Sequence, residues 1–318
     1  MQLDKTHIQI RNRNENELLD IALHVICRFP VQIFLSFAMI AIPLLVLNNL
    51  LIGHILTLDY NLALQMRTSI VEETYTSSDI SYKTFLFLQV ILIIIEAPVA
   101  SIFSTIMLSK LIFNETPTHS SIIKTGLKST WEILGSLGLK RGVLFVVLLA
   151  ALMRTPDNIT RGFILASIVL TFFIFIWVRG ARPFILEIIL LEQSTAESDN
   201  KMSLKQRSRM LHTTVGGNVF GRSMYGLVVG CCLTICLHGC LTFLAVNLFT
   251  ETGTMEHLDL TARWIFPIAC WLAVLYTSVV RFLNYLDTRI LLEGWEAELK
   301  IRSEALRIKQ RQPLGTNW

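Results

Sequence analysis

The sequence predicts an all-α, polytopic transmembrane helical bundle of about six spans with amphipathic helices at its cytoplasmic ends. Three observations carry this. Of 318 residues, 53% are hydrophobic and only 16% are charged, against roughly 25% charged in soluble chains. Several apolar runs approach or exceed the ~20 residues that a spanning helix needs. Lys and Arg segregate sharply to the segments on one side of the expected spans. A net charge of +4 gives nucleic-acid binding no electrostatic support.

The chain opens with a mixed acid-and-base segment, 1–30, that lacks the apolar core and small-residue cleavage site of a secretory signal. Within it, Asn14 to Phe29 places Leu18, Ile21, Ala22, Val25 and Phe29 on one helical face. The expected transmembrane domain covers 31–280. Its spans are 31–56, 85–109, 131–153, 163–178, 224–249 and 264–280. The third is the hardest to assign. Gly142 to Met153 is only half a span, and Lys140 and Arg141 must snorkel if the segment crosses. The turn from Arg154 to Arg161 reads as a tight hairpin into the fourth span.

Charge supports that count. With six crossings, 23 of the 28 Lys and Arg fall on the side of the two termini. Arg67, Lys83, Arg154, Arg161 and Arg263 fall on the other. The positive-inside rule places the rich side in the cytoplasm. The last span is expected to run on as a long helix from Arg281 to about Gln310, making 281–318 a cytoplasmic amphipathic segment. Arg289–Glu293, Glu296–Lys300 and Glu298–Arg302 stand at i,i+4 spacing there. Such helices lie on a membrane surface, meet a partner or pack beneath their own bundle.

Few residues carry chemistry. Glu96 sits mid-span, beside Pro98. An ionised carboxylate in hydrocarbon costs several kcal/mol, so Glu96 must be neutral, paired or facing a wet cavity. Its roles are therefore a proton or substrate site, or an interhelical hydrogen bond beside a proline kink. His238 lies at similar depth and is a candidate partner if the helices adjoin. Gly226, Gly230, Thr234 and His238 share one face of the fifth span, and Gly226 to Gly230 forms a GxxxG that permits close helix packing. Cys232, Cys236 and Cys240 form a neighbouring stripe, read as small packing residues rather than a metal site. None of the six cysteines falls in an expected external segment, so a disulfide framework is not expected. No P-loop, zinc pattern or nucleophile elbow is present. No catalytic residue, metal or cofactor is assigned.

Four segments together resemble a known family. They are Leu18 to Ile26, Glu96-Ala-Pro98, Arg182-Pro183 through Glu187 to Glu192, and Tyr285 to Glu296, which contains Asp287, Arg289, Glu293, Gly294 and Trp295. The pattern resembles an uncharacterised family of bacterial, planctomycete-type multi-span membrane proteins, whose genes lie beside transglutaminase-like ones. The last segment also resembles related actinobacterial proteins, although Leu291 stands where a basic residue is expected. The resemblance implies a bacterial inner membrane, and the Arg182 and Tyr285 motifs are read as interfacial from their places beside the expected spans. It implies no activity, substrate or cofactor. The expected partners are the lipid bilayer and other membrane proteins. The sequence thus points to a scaffold or accessory subunit of an envelope-associated complex, with a transporter using Glu96 as the alternative.

Overall fold

The computed structural model describes residues 14–66, 71–112, 183–192, 216–248 and 260–293, with isolated positions between 122 and 133 and between 206 and 210. These residues are helical apart from short turns, and none lies in a strand. Four helices are long and apolar enough to cross a membrane, over Pro30–Gly53, Phe85–Ile112, Gly217–Leu248 and Thr261–Leu292. They correspond to the first, second, fifth and sixth expected spans. The expected spans 131–153 and 163–178 lie outside the described residues, apart from the isolated position Ile133.

Helix α1 (Glu15–Arg28) carries Glu15 and Glu17 in its first turn and Arg28 in its last, matching the sign of the helix dipole at both ends. Pro30 forces the break that follows, because the residue before a proline is driven from helical geometry. Phe29 takes φ −128° and ψ 51°. Its N–H donates to the Val25 carbonyl, and its carbonyl accepts from Ile33, so one residue closes α1 and opens α2. Proline suits that opening, since its missing N–H would have no helical partner there.

Helices α2 (Pro30–Met66) and α3 (Val71–Ile112) contain 37 and 42 residues. At 1.5 Å per residue they run ~55 and ~63 Å, about twice a hydrocarbon core. The segment between the two apolar runs, expected as a loop, is helix up to Met66 and again from Val71. Its polar residues lack glycine and proline. Hydropathy finds where the apolar run ends, but nothing in the composition breaks the helix there.

The next continuous described segment has a turn at Pro183–Phe184, a short helix α4 (Ile185–Glu187) and a π turn over Ile188–Glu192. Every residue from Phe184 to Leu191 is buried. Helix α5 (Gly216–Leu248) begins eight residues before the expected span. Glycines and Arg222 dilute the hydropathy of its first turns without ending the helix. Helix α6 (Phe266–Glu293) follows a π turn at Thr261–Ile265 and continues well past the expected end of the last span. Residues 282–288 are all buried. This part of the expected amphipathic tail therefore belongs to the core, while residues 294–318 lie outside the described ones.

Helix α6 is the hub. It packs on α1, α2, α3 and α5, and α2 packs along α3. In their most apolar windows, α6 is 56% buried and α5 only 6%, which makes α5 peripheral. The main core joins Leu18, Phe37, Met107, Leu186, Leu275 and Phe282, from α1, α2, α3, α4 and α6. Phe37 and Trp271 meet edge to face at 6.0 Å. Several buried hydroxyls are satisfied within their own helices. Ser101 donates to Ala97, Ser104 to Ser101, Ser109 to Ile106, and Thr288 to Asn284. Such back-bonding lets Ser and Thr sit in an apolar interior without an orphan donor.

Candidate functional site

Three polar contacts tie the helices together. The first lies in the middle of the α2–α3 pair. Asn48 Nδ2 donates to Glu96 Oε2 at 2.8 Å. Asn48 is fully buried, and its Oδ1 has no hydrogen-bond partner. Antiparallel packing puts the two at one level, eleven residues into the apolar run of α3 and near the end of that of α2. Glu96 is partnered, but not by His238. The His238 ring stands edge-on to Phe266 at 5.4 Å, and its Nδ1 is buried without a hydrogen bond. Pro98 is buried inside α3, and the Ser101 hydroxyl one turn on reaches both the Ala97 and Pro98 carbonyls.

A second contact locks α4. Glu187 is completely buried, and Arg281 Nε donates to its Oε1 at 2.6 Å. The Arg281 Nη2 donates to Ser101 Oγ at 3.2 Å. One guanidinium thus bridges α3, α4 and α6. Glu187 Oε2 and Thr105 Oγ1 are buried without partners.

The third joins α5 to α6. Arg222 Nη1 meets Asp287 Oδ2 at 2.5 Å, with the carboxylate side chain 2% exposed. The two ion pairs have opposite sense. Helix α6 offers a cation at Arg281 and an anion at Asp287, and each is answered from a different helix. In an apolar interior a charge must be matched this way.

The remaining sequence candidates divide clearly. Tyr285 is fully buried, with its ring edge-on to Phe184 at 5.9 Å. Arg289 lies over that ring at 5.8 Å and its Nη1 approaches the phenol oxygen. Glu187, Tyr285 and Asp287, expected at the interface, are thus interior residues, while Pro183 is partly exposed in the turn before α4. Of the GxxxG pair, Gly230 makes a helix contact, since a Cβ there would stand 2.9 Å from Thr277 Cγ2. At Gly226 a Cβ would meet open space. Cys231, Cys232, Cys236 and Cys240 are exposed along α5. Arg182, Gly294, Trp295 and the Glu293 side chain lie outside the described residues.

Asn48, Ser101, Arg222 and Arg281 were not singled out by the sequence. Asn48-Asn49 interrupts an otherwise apolar run, which marks it as a partner for Glu96. In the sequence, Arg222 and Arg281 read only as positive-inside anchors. A base next to a strictly apolar stretch reads the same whether it faces lipid headgroups or a buried acid.

The Asn48–Glu96 contact gives a graded expectation. Glu96→Gln keeps a group that accepts from Asn48, so its cost is below about 1 kcal/mol. Asn48→Leu removes the partner and leaves the carboxyl group in the helix contact, at about 1–2 kcal/mol. Unfolding of the purified protein by SDS titration in mixed micelles measures both. Equal costs would contradict this pairing.

No protein-family model, curated protein or solved structure matches the chain.

Proposed function

We propose that the protein is a six-span bacterial inner-membrane protein, with both termini cytoplasmic, that serves as a non-enzymatic scaffold or accessory subunit of an envelope-associated complex. The orientation follows from 23 of 28 basic residues lying on the side of the termini. The helical extensions of α2 and α3 then stand on the opposite face.

The observation that favours this reading over transport is the Asn48–Glu96 hydrogen bond. It uses the one acidic side chain within the apolar stretch of α3 to join two helices. The ion pairs of α6 do the same for α4 and α5. Interior polar groups spent on one another stiffen a bundle. Helix α5 adds apolar surface to the periphery, with Val228, Ile235 and Phe243 exposed. That surface suits lipid or another membrane helix.

Solubilised from its native membrane in mild detergent, the protein is expected to migrate with partner proteins on native gels. Repeated recovery as a lone monomer would contradict the scaffold reading. Proton or solute flux into proteoliposomes that is lost in Glu96→Gln would replace it with transport.

A further inference from the structure

Glu96 stands eleven residues past Phe85, the start of the apolar run of α3. That is ~16 Å into a hydrocarbon layer ~30 Å thick. Its side chain is partly exposed, beside Ile95 and Val99. Among the described residues its hydrogen-bond partner is Asn48, whose Nδ2 donates to Oε2 at 2.8 Å. A single amide donor is a poor substitute for the water around a carboxylate.

No described cation takes over that task. The elements packed on α3 are α2, α4 with its π turn, and α6. The described side chains of α2 include no titratable group. On α6, Arg281 is committed to Glu187 of α4 and to Ser101. Ser101 lies five residues from Glu96, about 140° round the helix. Tyr276 turns to α1, where its hydroxyl donates to the Leu19 carbonyl. Arg263 approaches α2 at Gly53, where a Cβ would lie 3.4 Å from its Nη1. Gly53 is likewise five residues from Asn48, on another side of its helix.

Asn48 supplies the second observation. It is completely buried, and its Oδ1 has no hydrogen-bond partner. That oxygen is sealed from outside molecules, so its donor must come from a group already beside it. Orphan amide oxygens also occur at Asn49 and Gln89. At Asn48 the same amide already holds a carboxyl group.

We propose that Glu96 binds a proton and stands in the membrane as a neutral carboxylic acid, its O–H donating to Asn48 Oδ1 while Asn48 Nδ2 donates to Glu96 Oε2. Carboxamide and carboxylic acid are flat groups of similar size, each with a donor side and an acceptor side. They pair through two parallel bonds. One added proton removes a charge from hydrocarbon and gives the orphan oxygen its donor. An ionised Glu96 does neither, and it sets an anion beside an unpartnered oxygen. The ligand of this site is the proton, and the α2–α3 contact depends on it. The inference is independent of the scaffold reading, since it concerns the state of one helix contact and not a protein partner.

The test is infrared difference spectroscopy of the full-length chain in phosphatidylcholine vesicles at neutral pH, wild type minus Glu96→Gln. Glutamine offers the same donor and acceptor as the neutral acid, so this variant removes the acid and keeps the pairing. The difference is expected to show the carbonyl stretch of a protonated carboxylic acid, at the lowered frequency of an acid that donates a hydrogen bond. Asn48→Leu should move that band up to the free-acid position. A carboxylate band in place of the acid band overturns the proposal. So does an acid band at the free-acid position in wild type, or one that Asn48→Leu leaves unmoved. If Asn48→Leu does not fold, the band position in wild type decides alone.

Discussion

Replacing Arg281 by methionine is expected to destabilise the protein by about 3–5 kcal/mol, the cost of removing one partner from a buried ion pair. The asymmetry of the pair sharpens the expectation. Glu187 is wholly buried, and the Arg281 side chain is 24% exposed. Arg281→Met leaves a carboxylate with no water and no cation. Glu187→Leu leaves a guanidinium that still reaches Ser101 and solvent, so it should cost less. The double variant removes both charges and should recover most of the loss, because an apolar pair of similar volume matches or exceeds a buried ion pair in stability. SDS titration of the four proteins closes a double-mutant cycle. Additive costs would contradict a direct Glu187–Arg281 coupling.

Tyr285→Ala is the other large effect, at about 3–5 kcal/mol for an aromatic core truncation. Tyr285 is among the largest fully buried side chains, and it supports α4 through the edge contact with Phe184. A segment as short as α4 has no stability of its own as an isolated helix. It is held by burial and by the Glu187–Arg281 bond. Removing the ring should therefore loosen this segment first. Hydrogen exchange should show faster amide exchange across 185–191, with α2 and α3 little changed. Tyr285→Phe keeps the ring and loses only the phenol near Arg289, so it should cost less than about 1 kcal/mol. A Tyr285→Phe variant as unstable as Tyr285→Ala would show that the hydroxyl, not the ring, holds the segment.

The four apolar helices were legible in the sequence because apolar runs long enough to cross a bilayer are rare in water-soluble chains. Their ends were not. Met66, Val71 and Gly216 bound helices whose terminal turns are polar or glycine-containing, and hydropathy is blind to those turns. The buried role of Glu187, Tyr285 and Asp287 was hidden for a different reason. Their segments carry acids and bases in the ratio of an interfacial helix, and the burial of the two acids is made tolerable only by Arg281 approaching Glu187 and Arg222 approaching Asp287 from other helices. The same logic separates Glu96 from His238. Both are expected at similar depth, but depth does not determine which helix faces which, and Asn48 on the antiparallel neighbour is the residue that meets Glu96. Gly226 and Gly230 share one motif, yet only Gly230 meets another helix. Spacing puts two residues on one face without saying how far along it the contact extends.

Helix α5 is proposed to turn its exposed apolar residues to the bilayer, while α6 lies largely buried. Ile235 is 72% exposed on α5. After the six native cysteines are replaced, a nitroxide placed at position 235 in the reconstituted protein can be probed by power-saturation paramagnetic resonance with oxygen and with a water-soluble nickel chelate. High collision with oxygen and exclusion of nickel are predicted, as for a site inside the bilayer. Strong nickel collision at position 235 would mean that water surrounds α5, and the membrane-spanning account would fail.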